Sequence, residues 1–260
     1  KVNGNDNNTA TRNDTYDLGV LAAGTYTIRL STNANDNYSS AEYETGFTVR
    51  AVSSTIEAQG DEINYTQTAN ITVSYTGADN ITYVVLQSGV PVKDEYGNDI
   101  NRTVKGVLNA STGKYEVVIS VPGLSAGTYT VRLNTNVDGN HTSVVESVGI
   151  TVNKLKSNVT ANSSSVSYGE ESTLEVNYTN SNGVNYTVYK AGVAVEGLEN
   201  QVFEISGGNH VLNLGNLSVG TYTVRFTTIN EYNYTMGIFE TGVTVKSVES
   251  GVNASSVDVN

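Results

Sequence analysis

Three features of the sequence predict an all-β chain of tandem two-sheet sandwiches. A decamer is spelled three times, apolar residues alternate with a period of two, and turn signals fall roughly every ten residues. The decamer reads LAAGTYTIRL at 21–30, LSAGTYTVRL at 124–133 and LSVGTYTVRF at 217–226. Its tyrosines are spaced 103 and then 93 residues apart.

The repeat extends beyond the decamer. From its glycine to the first apolar residue of TGFTV, VGITV or TGVTV is 23 residues in all three copies, so the second half of the unit has a constant length. In the first half, Ile56, Ile63, Tyr65, Tyr75 and Tyr83 recur 103 residues later as Val159, Val166, Tyr168, Tyr178 and Tyr186. The ten-residue difference between copies therefore lies between Val92 and Tyr129, where one loop or hairpin is longer in the middle unit. This partition predicts a partial unit at 1–51 holding only C-terminal strands, complete units at 52–153 and 154–247, and the first strand of a further unit at 248–260.

Within a unit, NITVSY, LEVNY, YEVVISV and TYTVRL alternate apolar and polar residues, the mark of strands with one buried face. About seven short strands per unit of about 95 residues predict immunoglobulin-like sandwiches. The connecting stretches RAVSST and NKLKSN are short and lack the composition of a flexible tether, so the sandwiches are expected to line up as an extended rod. The decamer supplies the parts of a tyrosine corner, in which a ring near the start of strand F enters the core and its hydroxyl returns to a backbone group upstream. Tyr26, Tyr129 and Tyr222 are the expected corner residues, with Gly127 opening the turn in the middle unit. Most other tyrosines that can be placed, among them Tyr65, Tyr75, Tyr83 and their counterparts in the next repeat, fall on the apolar phase and read as core rather than as a sugar-stacking platform.

Composition narrows function. Fourteen basic against twenty-six acidic residues give a net charge of −12 with no Lys/Arg run, so nucleic acid is not an expected partner. Cysteine is absent, which removes disulfides, thiolate metal sites and a cysteine nucleophile together. No apolar run approaches a membrane span. His141 and His210 sit at non-equivalent places and gather no triad or carboxylate pair, so neither catalysis nor a cofactor is expected. The acidic stretches KDEYGND, GDE and VDGN lack the ligand spacing of a dedicated calcium loop, and solvated turns are their default reading.

The strongest chemical signal is Asn-x-Ser/Thr. Sixteen of thirty-two asparagines head such a sequon, more than twice what the Ser/Thr content gives by chance. Strand alternation alone produces some of them, yet the same alternation places Asn70, Asn177 and Asn185 on an outward face where a glycan could be attached. Asn64, Asn80, Asn101, Asn109, Asn140, Asn158 and Asn233 complete the set of candidate acceptors.

With LSAGTYTVRL, ETGVTVK and NVTANSSSVSYGEESTLEVNYT, the chain resembles the tandem bacterial-type Ig-like repeats of adhesin-like cell-surface proteins from methanogenic archaea, over essentially its whole length. The resemblance implies an exported, N-glycosylated, non-catalytic protein that extends from the cell envelope and serves attachment, with partner cells, surface components or carbohydrates as ligands. Because ligand-binding regions of that family often lie outside the Ig array, it implies that these repeats are the stalk.

The expected function is therefore an extracellular structural or adhesive shaft. A sharper expectation follows from the incomplete units at either end: an extracellular filament in which other copies of the chain donate strands to the open first unit. The rival is a carbohydrate- or calcium-binding module centred on the longer loop of the middle unit and on NTNVDGNHT.

Overall fold

The computed structural model describes residues 15–203, 209–229 and 232–257. The first 14 residues of the expected partial unit, the last three of the expected C-terminal strand and part of the segment facing the middle-unit insertion lie outside the described residues. Every regular element among the described residues is a strand, and no helix is long and apolar enough to cross a membrane.

The chain is all-β and carries tandem immunoglobulin-like sandwiches. In the middle repeat one sheet orders the strands Val107–Asn109, Lys114–Val121, Ala69–Tyr75 and Ile56–Gln59. The other orders Asp61–Asn64, Val145–Asn153, Gly127–Thr135, Asn80–Gln87 and Val90–Pro91, with Asn101–Lys105 also paired to Asn80–Gln87. The third repeat repeats this plan with Asn158–Ala161, Thr173–Thr179 and Asn209–Asn213 in one sheet. Its second sheet runs Ser164–Ser167, Ile238–Lys246, Gly220–Ile229, Gly183–Lys190 and Val193–Ala194, with Gln201–Phe203 beside Gly183–Lys190. Ser164–Ser167 joins Ile238–Lys246 in parallel, so the chain enters each sandwich in one sheet and crosses to the other before its first long strand.

Alternation determines which residues fill the space between the sheets. In Ala69–Tyr75 the buried residues are Ala69, Ile71, Val73 and Tyr75, and they face Val121, Ile119, Val117 and Tyr115 of the neighbouring strand. The third repeat buries Leu174, Val176, Val184, Val188, Val224, Phe226 and Val243 in the same way. Register shows where the repeats differ in length. Tyr83 pairs with Arg102, nineteen residues on, whereas Tyr186 pairs with Gln201, fifteen on, so four of the ten extra residues lie in the hairpin around the Lys93–Asp99 bridge. The other six fall between that point and the strand where Ile119 pairs Ile71, as Leu212 pairs Leu174.

The first repeat is represented by one hairpin, Gly24–Ser31 with Glu42–Val49. Tyr26 stacks on Phe47 with ring centroids 5.4 Å apart, but Leu30 and Tyr43 are exposed. By its contacts the chain divides into two compact units, Lys1–Asp61 with Thr68–Gly123 and Thr128–Ile150, and Glu62–Gln67 with Leu124–Gly127 and Thr151–Asn260. Each unit contains one junction between repeats.

Two expectations are corrected. Tyr168, placed on the apolar phase by analogy with Tyr65, is 60% exposed. Tyr65 is partly covered by the ring of Tyr234, 5.7 Å away and edge-on, and Tyr168 has no such ring beside it among the described residues. Asn185 does not stand on an open face. It lies on a central strand, between Val202 and Thr227 of its two neighbours, and its Oδ1 is buried.

Candidate functional site

The decamer turns build the corners. The Tyr222 hydroxyl donates to the Ser218 carbonyl at 2.7 Å, four residues upstream, and lies 2.8 Å from the Ser218 hydroxyl, while the side chain as a whole is only 2% exposed. In the first repeat the Tyr26 hydroxyl donates to the Ala22 carbonyl at 2.7 Å. The Tyr129 ring is buried at 5% exposure. Gly220 has φ of 148° and Gly127 of 151°, a backbone conformation that side chains strongly disfavour, which is why these two turns spell glycine here. A Cβ on Gly220 would also come within 2.8 Å of the Lys190 side chain. That lysine closes the corner from outside: Nζ donates to Ser218 Oγ at 2.8 Å and to the Val219 carbonyl at 3.0 Å, and lies 5.1 Å from the Tyr222 ring centroid.

A second recurring device sits at the junctions between repeats. The Ala23 N–H donates to Oδ1 of Asn140 at 2.8 Å, and the Ala126 N–H donates to Oδ1 of Asn233 at 2.7 Å. Ala23 and Ala126 occupy the same position of the decamer, directly before its glycine, and Asn140 and Asn233 occupy the same position of the loop between the last two long strands. The connecting segments add backbone bonds to that loop. Val52–Ser53 pairs in parallel with His141–Thr142, and Leu155–Lys156 with Tyr234–Thr235. The loop is braced internally as well, by Val144 N–H on Thr135 Oγ1 and Gly237 N–H on Thr228 Oγ1, and in the first repeat by Ala41 N–H on Thr32 Oγ1. The sequence carries the signal, an asparagine followed by Tyr or His and then Ser or Thr at 37, 140 and 233, but the motif reads as a sequon before it reads as a latch.

The other sequon asparagines divide by environment. Asn64, Asn101, Asn158 and Asn177 are exposed on strands. Asn70 is exposed, with Oδ1 accepting from the Ser120 hydroxyl at 2.7 Å. Asn80 donates to Asp79 and Asn109 to Glu116, each at 2.9 Å. Asn140 is exposed around its junction bond, whereas Asn233 and Asn185 are half-buried.

The acidic hairpin of the middle repeat is matched by protein donors. Asp94 accepts from the backbone of Tyr96 and Asn98 and from Arg102, and Lys93 pairs with Asp99 at 2.6 Å. The Asn98 N–H foremost, with the Tyr96 N–H and Arg102, holds the Asp94 carboxyl below its ordinary range. Asp138 is likewise lowered, chiefly by its hydrogen bond to His141 Nδ1 at 2.8 Å. Among the described residues no group of three or more His, Asp or Glu side chains is arranged to hold a metal ion.

No protein-family model matches the chain, and no curated protein matches it. Among solved structures it is similar to the titin domains Z1Z2 in complex with telethonin, at 15% identity and a TM-score of 0.42 over 77% of this chain and 100% of that one. It is also similar to the titin I9–I11 tandem, at 16% identity and 0.31 over 87% and 74%, and to fibronectin(III)-like modules of Clostridium thermocellum CbhA, at 10% and 0.29 over 78% and 100%. At these scores the architecture rests on the sheets themselves, which are those of tandem β-sandwich modules.

Proposed function

We propose that the chain is the stalk of an extracellular adhesive or structural protein, of the kind its repeats resemble on methanogenic archaea, and that it holds a binding region away from the cell envelope. The observation that carries this reading is the junction. Two successive repeats are joined by the same Asn-to-backbone bond and the same short parallel pairing, in place of a loose tether. A hydrogen bond of this kind contributes about 0.5–1.5 kcal/mol, and the pairing adds to it at a connection too short to swing freely. Such a design suits reach and spacing. The net charge of −12 and the dense Thr/Asn surface favour a hydrated shaft that resists collapse onto itself, and glycans on the exposed sequons would add to that hydration.

Small-angle scattering on the 260-residue chain tests the proposal. An elongated particle with a maximum dimension well beyond that of a sphere of equal mass is expected, and a compact profile overturns it. Localisation is tested separately by surface labelling of whole native cells, where exclusion of the label from the protein would rule out the extracellular reading.

A further inference from the structure

In both complete repeats the chain changes sheet soon after it enters, and at each crossing one side chain reaches back to the sheet just left. In the third repeat this residue is Asn162, between Asn158–Ala161 of one sheet and Ser164–Ser167 of the other. Its Oδ1 accepts the Glu175 N–H at 2.7 Å and its own N–H donates to the Glu175 carbonyl at 3.2 Å, both on the strand beside Asn158–Ala161. Its carbonyl accepts from the Thr241 hydroxyl at 2.9 Å, on the strand beside Ser164–Ser167. One residue is thus bonded to both sheets. In the middle repeat Asp61 does the comparable task, its Oδ2 accepting the Asn70 N–H of the opposite sheet at 2.7 Å.

Immediately after Asn162 comes a parallel ladder. Ser164–Ser167 pairs with Val243–Lys246 at four positions in register, and the Tyr168 N–H extends the contact to the Lys246 carbonyl at 2.8 Å. Two parallel strands begin at the same end, so the chain enters the ladder at one end and leaves it from Lys246 at the other. Tension between entry and exit therefore slides the strands along each other and loads the four pairs together. An antiparallel pair pulled from two neighbouring ends, such as Thr221 and Thr244, opens one position after another instead. Load along the chain runs through Asn158–Ala161 into Asn162 and then into the ladder. The ladder is held in shear only while Asn162 keeps its place on Glu175 and Thr241.

We propose that Asn162 is a tension-bearing residue, which fastens the crossing to both sheets so that the parallel ladder carries load along the chain, and that resistance to stretching is a further function of the repeat. The inference deepens the stalk reading and rests on it only for the presence of tension, because staple and ladder belong to one sandwich.

The test is unfolding at constant force in optical tweezers. The chain has no cysteine, so a pair introduced at exposed positions of the full 260-residue protein sets the direction of pull. Asn158→Cys with Lys246→Cys loads the third repeat along the chain, and Thr221→Cys with Lys246→Cys peels the antiparallel pair from its end. With Asn162 in place, unfolding at a given force is expected to be slower along the chain than by peeling. Asn162→Ala is expected to raise the along-chain rate roughly 2- to 10-fold, the factor that one hydrogen bond contributes, and to leave the peeling rate unchanged. Asn162→Asp keeps an acceptor oxygen and is expected to unfold near the original rate in both directions. Equal rates in the two directions with Asn162 in place would remove the ladder from the load path and overturn the proposal. An Asn162→Ala effect that is the same in both directions, or absent from both, overturns it as well, since Asn162 would then be an ordinary contributor to stability or none. So does an Asn162→Asp chain that yields as fast as Asn162→Ala. A compact scattering profile would sink the stalk reading and leave these rates untouched.

Discussion

Asn233 reaches across 107 residues of sequence to accept the Ala126 N–H at 2.7 Å, and Asn140 does the same across 117 residues for Ala23 at 2.8 Å. An amide side chain suits this place because it is short and is carried on a tight turn. Asp138 Oδ1 receives the Asn140 N–H, which fixes the direction in which the Asn140 side chain leaves the loop. The N–H it meets belongs to the turn that also holds the corner tyrosine Tyr26, here half-buried, so one decamer organises both a corner and the join to the next repeat.

Replacing the amide separates acceptor from bulk. Asn233→Ala is expected to lower stability by about 0.5–1.5 kcal/mol in denaturant titration and to speed protease cleavage at 153–157, because the Ala126 N–H loses its partner. Asn233→Asp keeps an acceptor oxygen and is expected to stay close to wild type in both measurements. Equal behaviour of the two variants would remove the hydrogen bond from the account of the junction.

At the third corner, Tyr222→Phe loses the bond to the Ser218 carbonyl and is expected to cost about 0.5–1.5 kcal/mol. Tyr222→Ala, which empties a core position 2% exposed, is expected to cost roughly 3–5 kcal/mol. Lys190→Met retains most of the stem over the ring but removes both Nζ bonds, and a loss smaller than that of Tyr222→Phe is expected, since the ammonium is partly solvated. Urea midpoints for the three variants give the order directly.

How much of this was legible follows from the range of each interaction. The strands and their buried faces were legible because Ile71, Val73 and Tyr75 alternate within one short segment, and a period of two is a local property. The corner was legible because Tyr222 and Ser218 are four residues apart in a fixed motif. The junction was not, because Ala126 and Asn233 meet only after two sandwiches have folded, and Asn-Tyr-Thr carries a commoner meaning as a sequon. Tyr168 was misplaced for a related reason. Alternation says which way a side chain points but not whether a neighbouring ring covers it, and Tyr65 is half-buried only beside Tyr234. Asn185 sits beside the buried Val184, as its phase requires, yet is half-buried with its Oδ1 enclosed, which alternation alone does not register.

Tyr75 gives the fold an alkaline limit. Its ring is fully buried, its hydroxyl donates to the Asp79 carbonyl at 2.9 Å, and it accepts from the Gly106 N–H at 2.9 Å. Burial pushes the phenol above its ordinary value of 10.0, Gly106 pulls it back in part, and the charge of Asp79 adds to the rise. Above pH 10 the unfolded chain releases this proton before the folded chain does, so stability is full below that pH and falls as pH rises toward the folded value. Tyr75→Phe is expected to flatten that fall without abolishing it, since burial also raises Tyr83 and Tyr186. Melting temperatures between pH 8 and pH 11, roughly the span over which phenols titrate, check the sign.

Gly106 is constrained by the same tyrosine. A Cβ there would lie 2.5 Å from the Tyr75 hydroxyl and 2.9 Å from Tyr115 Cβ, and both rings are stacked 5.8 Å apart with little room to shift. Gly106→Ala is expected to cost about 1–3 kcal/mol, the usual range for overpacking a filled interior. In the double variant Gly106→Ala, Tyr75→Phe the clash with the hydroxyl is relieved, so the two losses are expected to be less than additive. Strict additivity would place the strain of Gly106→Ala on Tyr115 and the ring carbons at position 75 rather than on the hydroxyl.

Glycan occupancy should follow exposure rather than the mere presence of a sequon. A transferase must reach Nδ2, and the attached sugar must then have space on the folded surface. Asn101 and Asn177 satisfy both requirements, being exposed on strands with their sequon threonines also exposed. Asn185 is the contrast: the residue is half-buried and its Oδ1 is enclosed. Glycopeptide mass spectrometry on protein from its native host is therefore expected to find sugar at Asn101 and Asn177 and none at Asn185. Occupancy at Asn185 would show that burial of Oδ1 does not decide access to Nδ2, and would remove exposure as the rule of selection.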